Sequence, residues 1–550
     1  MEKIWLPHYE AGIPAHINPD EFPSLNAMFA ESVQHYRERT AFLCMGAKLS
    51  YGELDTLAQN FAAWLQDVLH LPRGERIAIM LPNVLQYPVC VLGALRGGYT
   101  VVNCNPLYKP RELQFQLADS GARVIVILEN FAHTLTQIIN ETPVETVVIA
   151  RLGDLLGYRR LPVDFVVKYL QRLIPAWNLP KAIGFRQAID QGRKAVFRPV
   201  DVRSQDIAFL QYTGGTTGLA KGAMLTHRNL LANMHQAQAW VCPPLSTDGE
   251  RVVTALPLYH IFAITANFFL FLRLGSSNLL IVNPRDIAGL IAHLAKYPFS
   301  ALTGVNTLFN ALLKHPKFAR IDFSRVKITL GGGAAIQKSV ADRWQQTTGR
   351  PLLEAYGLTE TSPAVCINPV GLQAHNGSIG LPLPSTEVAI RDELNRDLPC
   401  SERGELCVRG PQVMSGYYGQ PEETANVMTP DGFLRTGDIA TIDERGFVYI
   451  VDRRKDMIIV SGFNVYPNEV EEVLAMHPGI TEAAAIGVPD AKTGEAVKAF
   501  IVRSDPTLTD KDISEHCRHY LSGYKQPRQI EFRDELPKTA VGKILRRALR

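Results

Sequence analysis

Over the first 450 residues, short β-rich runs alternate with stretches of helical periodicity, and this alternation limits the architecture more than any other feature. RIAIM (76–80), ARVIVIL (122–128) and TVVIA (146–150) read as strands, whereas ELDTLAQNFAAWLQDVL (53–69) carries apolar residues at helical spacing. Such a pattern predicts an α/β fold whose large N-terminal domain has mixed and parallel sheets flanked by helices. At 550 residues the chain is too long for one compact core, so more than one unit is expected. Near residue 450 the texture changes. GFVYIVD (446–452) runs into the charged RRKD (453–456), and the remaining residues read as a small α+β C-terminal domain. The predicted division is 1–452 and 453–550.

Composition excludes several classes. A chain 46% hydrophobic and 20% charged has enough apolar material for packed cores, which rules out a mainly disordered protein. A net charge of +3 does not suggest a nucleic-acid binder. That near-balance hides a local surplus, because residues 151–200 hold ten Lys/Arg and three acids. Within them, Phe165, Val166, Tyr169, Leu170 and Leu173 fall on one helical face and Asp164, Lys168 and Arg172 on another. Two readings stay open: a packed helix with a charged outer face, or a peripheral contact with an anionic membrane surface. The eight cysteines form no C-x-x-C pair, so scattered reduced thiols are expected rather than disulfides or a zinc site. The N-terminus has no apolar signal core. The longest apolar run, 261–272, is interrupted by Thr265 and Asn267 and falls short of the ~20 residues a bilayer needs. The expectation is a soluble, cytoplasmic protein.

Four motifs carry chemistry. YTGGTTGLAKG (212–222) follows the strand-like IAFLQY (207–212). Glycines let backbone N–H groups approach phosphate oxygens, threonine hydroxyls add donors, and Lys221 adds a positive charge. It is not a Walker A loop, since G-x-x-x-x-G-K-[ST] is absent. EAYGLTE (354–360) follows GGGAAI (331–336). A tyrosine there can stack on a base, and a glutamate near phosphates can hold Mg²⁺. DGFLRTGD (431–438) offers an aspartate able to accept both hydroxyls of a ribose. PKTAVGK (537–543) places a lysine on a glycine-bearing loop that can reach another domain's cleft.

In this order and spacing the four motifs resemble the adenylate-forming acyl-CoA synthetases over nearly the whole chain. NCNPLYKPREL (103–113), ALPLYHIFAIT (255–265) and DRRKDMIIVSGFNVYPNEVE (452–471) are most similar to the bacterial long-chain fatty acid–CoA ligases. The resemblance implies ATP, Mg²⁺ and coenzyme A as cofactor and co-substrates, a fatty acid as substrate, and a homodimer as one assembly open to the chain. By it, Thr213, Gly214, Gly215, Thr216, Thr217, Gly218 and Lys221 would hold the β- and γ-phosphates of ATP. Gly331, Gly332, Gly333 and Ala334, with Glu354, Ala355, Tyr356 and Gly357, would line the adenine site, with Tyr356 against the ring. Thr359 would contact the α-phosphate, and Glu360 with Thr213 would hold Mg²⁺. Asp438, supported by Arg453, would bind the ribose. Lys455 matches the hinge, and Ser461, Gly462 and Phe463 match the loop lining the pantetheine channel. His260 and Phe262 would flank the acyl pocket, although no tryptophan gate follows at 261–270. Lys543 matches the lysine needed to form the adenylate, and Lys221, Thr359 and Glu360 join it as the catalytic set.

The implied reaction has two steps. Transfer of AMP to a carboxylate gives a mixed anhydride with a good leaving group, and the thiol of coenzyme A then displaces AMP. The attack of one anion on another needs Mg²⁺, Lys543 and the phosphate-loop N–H groups to offset charge. Rival readings are a ligase of the same fold for medium-chain or coumarate-type acids, a carrier-loading fatty acyl-AMP ligase, and a non-catalytic acyl or nucleotide sensor. A sensor would have no need of Lys543.

Overall fold

The structure, a computed structural model, describes residues 3–213, 220–242, 244–245, 249–461, 463–490, 492–539 and 542–550. Its strands form four sheets. The seven-stranded sheet has Val124–Leu128, Arg76–Met80 and Thr100–Asn103 at its centre, in parallel pairs, and closes with the antiparallel hairpin Ile207–Thr213 and Lys221–Thr226. Val124–Leu128 is buried at every position, as a parallel strand covered on both faces requires. The nine-stranded sheet contains Ala301–Gly304, Ile328–Gly332 and Leu353–Gly357, also paired in parallel. Ile207–Thr213, Ile328–Gly332 and Leu353–Gly357 all end at one crevice, the carboxyl-end position at which open α/β sheets bind ligands.

A four-stranded antiparallel sheet, from Glu387–Arg391 to Val448–Arg453, comes next in the chain. Among the described residues, the strands after Arg453 pair only with one another, in a five-stranded sheet carrying the helices Pro467–Ala475 and Asp510–Tyr520. The mixed α/β architecture with a smaller C-terminal α+β unit is therefore as the alternation predicted.

Helix Tyr51–Ala63 begins with a capping box between Ser50 and Glu53, and a π turn, Trp64–Val68, continues it. The long apolar run becomes a buried helix interrupted by the π turn Ile264–Phe269. Asn267, which breaks the run, is fully buried, and its side chain bonds Thr254 and Thr303 at 3.2 and 3.0 Å. Among the described residues no helix is long and apolar enough to cross a membrane.

The basic segment departs from the packed-helix reading. Arg160–Phe165 is helical and a π turn, Val166–Leu170, continues it, with Leu173 beyond the helix end. Tyr158, Leu161, Phe165, Tyr169, Leu170 and Leu173 are each more than half exposed, and Val167 points inward instead. The apolar side predicted from regular α-spacing is thus left facing out, both before the π turn and within it.

Candidate active site

The crevice at the strand ends opens into a cavity of about 1850 Å³. Thr213 and Lys221 enter it from the two arms of the hairpin, where they face each other as register partners. The intervening Gly214, Gly215, Thr216, Thr217 and Gly218 lie outside the described residues. Lys221 forms an ion pair with Glu423, and its ammonium lies 5.2 Å from the centre of the Tyr417 ring. Tyr417 donates its hydroxyl to Glu360 Oε1 at 2.7 Å. Tyr417 and Glu423 escaped the motif reading, because nothing in their spacing marks them. They are found only through the side chains they touch.

The next wall is made of glycine-bearing strand ends. Gly332 needs its missing side chain: a Cβ there would lie 2.9 Å from the Phe262 ring and 3.0 Å from the Ala355 carbonyl oxygen. Gly333 follows at φ +75°, in the left-handed region glycine favours. Gly332, Gly333 and Ala334 thus form a flat edge opposite Glu354, Ala355 and Tyr356. Gly357 lines the cavity as well, but its glycine is required by the fold, since a Cβ would collide with Pro363 O. Glu354 is buried and accepts the Ile336 N–H, and burial pushes its carboxyl up to about 8. Burial thus favours its neutral form, which suits it poorly to holding a cation.

Tyr356 donates to Asp438 Oδ2 at 2.6 Å, and Arg453 Nε lies 3.3 Å from Asp438 Oδ1. Asp438 and Arg453 are register partners in adjacent antiparallel strands, so the sheet itself sets this pair. Burial, reinforced by Asp438, holds the Tyr356 hydroxyl well above its ordinary value. Thr359 and Glu360 line the cavity from a short 3₁₀ turn.

The C-terminal unit closes the crevice. Thr307 donates its hydroxyl to Gly542 O at 3.0 Å, and Gly542 sits at φ +84°. This turn lets Lys543 point inward. Burial, with Arg453 beside it, lowers the Lys543 amine to about 8, and Lys455 is lowered to about 8 for the same reasons. His260 is half-buried, accepts the Phe262 N–H at 3.4 Å, and is lowered to about 4 by desolvation and by Lys543, so its ring is neutral. The same cavity is lined by apolar side chains as well, among them Ala237, Val241, Leu245, Leu270, Ala301 and Leu330. The sequence reading missed this apolar lining, whose residues come from elements far apart in the chain.

Seventeen of the residues expected at the site therefore converge on one cavity. Gly331, Ser461 and Phe463 do not: Gly331 faces Ile336, and Ser461 and Phe463 lie away from the cavity, Phe463 exposed and stacked on Tyr524 at 5.0 Å. Gly462 lies outside the described residues. Among those residues no cluster of three or more His, Cys, Asp or Glu is placed to hold a metal. Glu360 and Thr213 nonetheless fit a magnesium ion, which takes oxygen donors and is commonly held by one or two carboxylates plus substrate phosphates.

Residues 29–418 match the AMP-binding enzyme family, and residues 469–543 match the AMP-binding enzyme C-terminal domain. A long-chain-fatty-acid–CoA ligase of Escherichia coli O6:H1 is 54% identical over 551 residues, spanning 100% of this chain and 98% of that protein. Among solved structures, an anthranilate CoA ligase in complex with anthranoyl-AMP superposes with a TM-score of 0.85 at 23% identity, over 97% of this chain and 98% of that one. ATP-bound MatB from Rhodopseudomonas palustris superposes with a TM-score of 0.79 at 27% identity, over 96% of this chain and 98% of that one.

Proposed function

The chain belongs to the AMP-binding enzyme family, and from that premise we propose that it is a long-chain fatty acid–CoA ligase. It converts a fatty acid, ATP and coenzyme A into acyl-CoA, AMP and pyrophosphate. The observation that carries this reading is the cavity, which is lined both by Lys221, Glu360, Asp438 and Lys543 and by a set of apolar side chains. Full-length identity of 54% to a long-chain ligase supports the same substrate class.

In the first step a carboxylate oxygen attacks the α-phosphorus and the bond to pyrophosphate breaks. In the second, the sulfur of coenzyme A attacks the acyl carbon and AMP leaves. In this reading Thr213, the 214–218 loop and Lys221 hold the outer phosphates, and Lys221 exchanges Glu423 for them. Gly332, Gly333 and Tyr356 flank the adenine, and Asp438 takes the ribose hydroxyls. Lys543 and Thr359 meet the charge that develops on the α-phosphoryl group. Each such charged contact is worth a few kcal/mol, about 10²–10³ in rate, by analogy with oxyanion-hole deletions. Glu360 and Thr213 would hold a magnesium ion, whose chemistry is to neutralise phosphate charge. His260 and Phe262 flank the acyl chain. The unit from 453 onward is the lid, with its pivot near Lys455 and with 461–463 serving the thiol.

A second element belongs to this reading: peripheral contact with an anionic membrane through 158–173, supported by its exposed apolar side chains and the cations around them. The enzymatic reading is tested by ATP- and CoA-dependent AMP release against saturated acids from four to eighteen carbons, with coumarate as control. Turnover rising toward the long acids is expected. Turnover on coumarate alone, or ATP binding without turnover on any acid, would overturn it.

A further inference from the structure

Helix Pro467–Ala475 begins without a cap of its own. Tyr466 precedes it and makes no side-chain cap, and Pro467 has no N–H, so the first free donor is the Asn468 N–H. Asp452 supplies the missing acceptor from outside the helix, with Oδ2 2.7 Å from that nitrogen. Its other oxygen meets Arg546 Nη1 at 3.1 Å, and its side chain has no exposure at all. Arg546 is also bound by Glu471, at 2.9 and 2.6 Å, and by the Asn468 side chain. Asp452 lies in the strand Val448–Arg453, next to the residue that pairs with Asp438, while Arg546 lies three residues beyond Lys543. One buried carboxylate therefore ties the strand beneath the candidate ribose site to both the start of a lid helix and the end of the lysine loop.

The placement gives this tie a direction. Asp452 precedes Lys455, whereas Asn468, Glu471 and Arg546 come after it. Any turn of the small unit about 453–456 must pull Asn468 and Arg546 off Asp452. Arg546 keeps Glu471 through such a turn, because both travel together. Lys543 lines the cavity in the present arrangement, while Ser461 and Phe463 do not. We propose that Asp452 is a positioning residue for adenylate formation, a latch that holds the Lys543-inward arrangement and has no part in thiol transfer. This rests on the reading that Lys543 serves the first half-reaction.

The test compares Asp452→Asn, Asp452→Ala and Lys543→Ala in ATP–pyrophosphate exchange and in thioester formation from supplied acyl-adenylate, with thermal unfolding as a control. The asparagine variant keeps the shape and an acceptor for the Asn468 N–H, and decides the matter if the alanine variant fails to fold. Expected is a fall in exchange of at least about tenfold, with thioester formation within about twofold of the parent enzyme. Exchange unchanged, or an equal fall in both half-reactions, overturns the latch. If Lys543→Ala leaves exchange intact, the role of Lys543 falls, and the ratio of half-reactions in the Asp452 variants still decides the latch.

Discussion

Lys543 shows how a residue of ordinary type acquires a specific task. Burial and the neighbouring Arg453 lower its amine to about 8 in the ligand-free enzyme. A lysine held below its ordinary value loses its proton earlier as pH rises, so the cation is complete well below pH 8 and is lost above it. Adenylate formation is therefore expected to fall along an alkaline limb near pH 8 in kcat/KM, and Lys543→Arg should move that limb upward, since arginine stays charged. A limb in the same place in both enzymes would assign it to another group, of which Lys455 is one. Lys543→Ala is expected to lose ATP–pyrophosphate exchange while thioester formation from acyl-adenylate persists; equal loss of both would remove the division of labour. The lysine was legible in PKTAVGK because its glycine, at φ +84°, is the turn that aims it. The depressed amine was not legible, because it comes from Arg453 and from burial under another unit.

At the scale of the element, the segment 158–173 separates what periodicity can say from what it cannot. Helical spacing revealed an apolar side and a charged one, but a spacing pattern is the same whether the apolar side is covered or bare. The folded chain leaves six large side chains of this stretch more than half exposed, with Arg159, Arg160, Lys168 and Arg172 among them. Replacing Leu161, Phe165 and Leu170 together by serine is expected to abolish co-sedimentation with vesicles containing anionic phosphatidylglycerol. Turnover on a short, water-soluble acid should stay unchanged. If the variant instead loses self-association in sedimentation while vesicle binding is unaltered, a second copy of the chain covers this face. The strand Ile207–Thr213 is the opposite case, read from sequence as a strand feeding a glycine- and threonine-rich loop, although its antiparallel partner Lys221–Thr226 was not read.

The molecule as a whole must serve two reactions with one crevice, and it presents one arrangement of its parts. Lys543 faces the cavity, the 461–463 region stands away, and the join is the turn in which the Asp456 N–H donates to Arg453 O and the Arg454 N–H to Gly437 O, both at 3.0 Å. A non-reactive acyl-adenylate analogue with coenzyme A is expected to raise hydrogen exchange across 453–456 and 539–546 while leaving the parallel sheets unchanged. Unaltered exchange at both places would mean that the lid does not turn. Sequence alone determined the α/β class, the small C-terminal unit and the four motifs, because periodicity, glycine turns and charged loops are local properties carried along the chain. Tertiary structure decided the apolar lining of the cavity, the Lys221–Glu423 and Tyr417–Glu360 partnerships, the outward face of 158–173 and the Asp452–Arg546 tie. Each of these depends on residues far apart in sequence meeting in a low-dielectric space or failing to be covered, and neither proximity nor burial is written in the order of the residues.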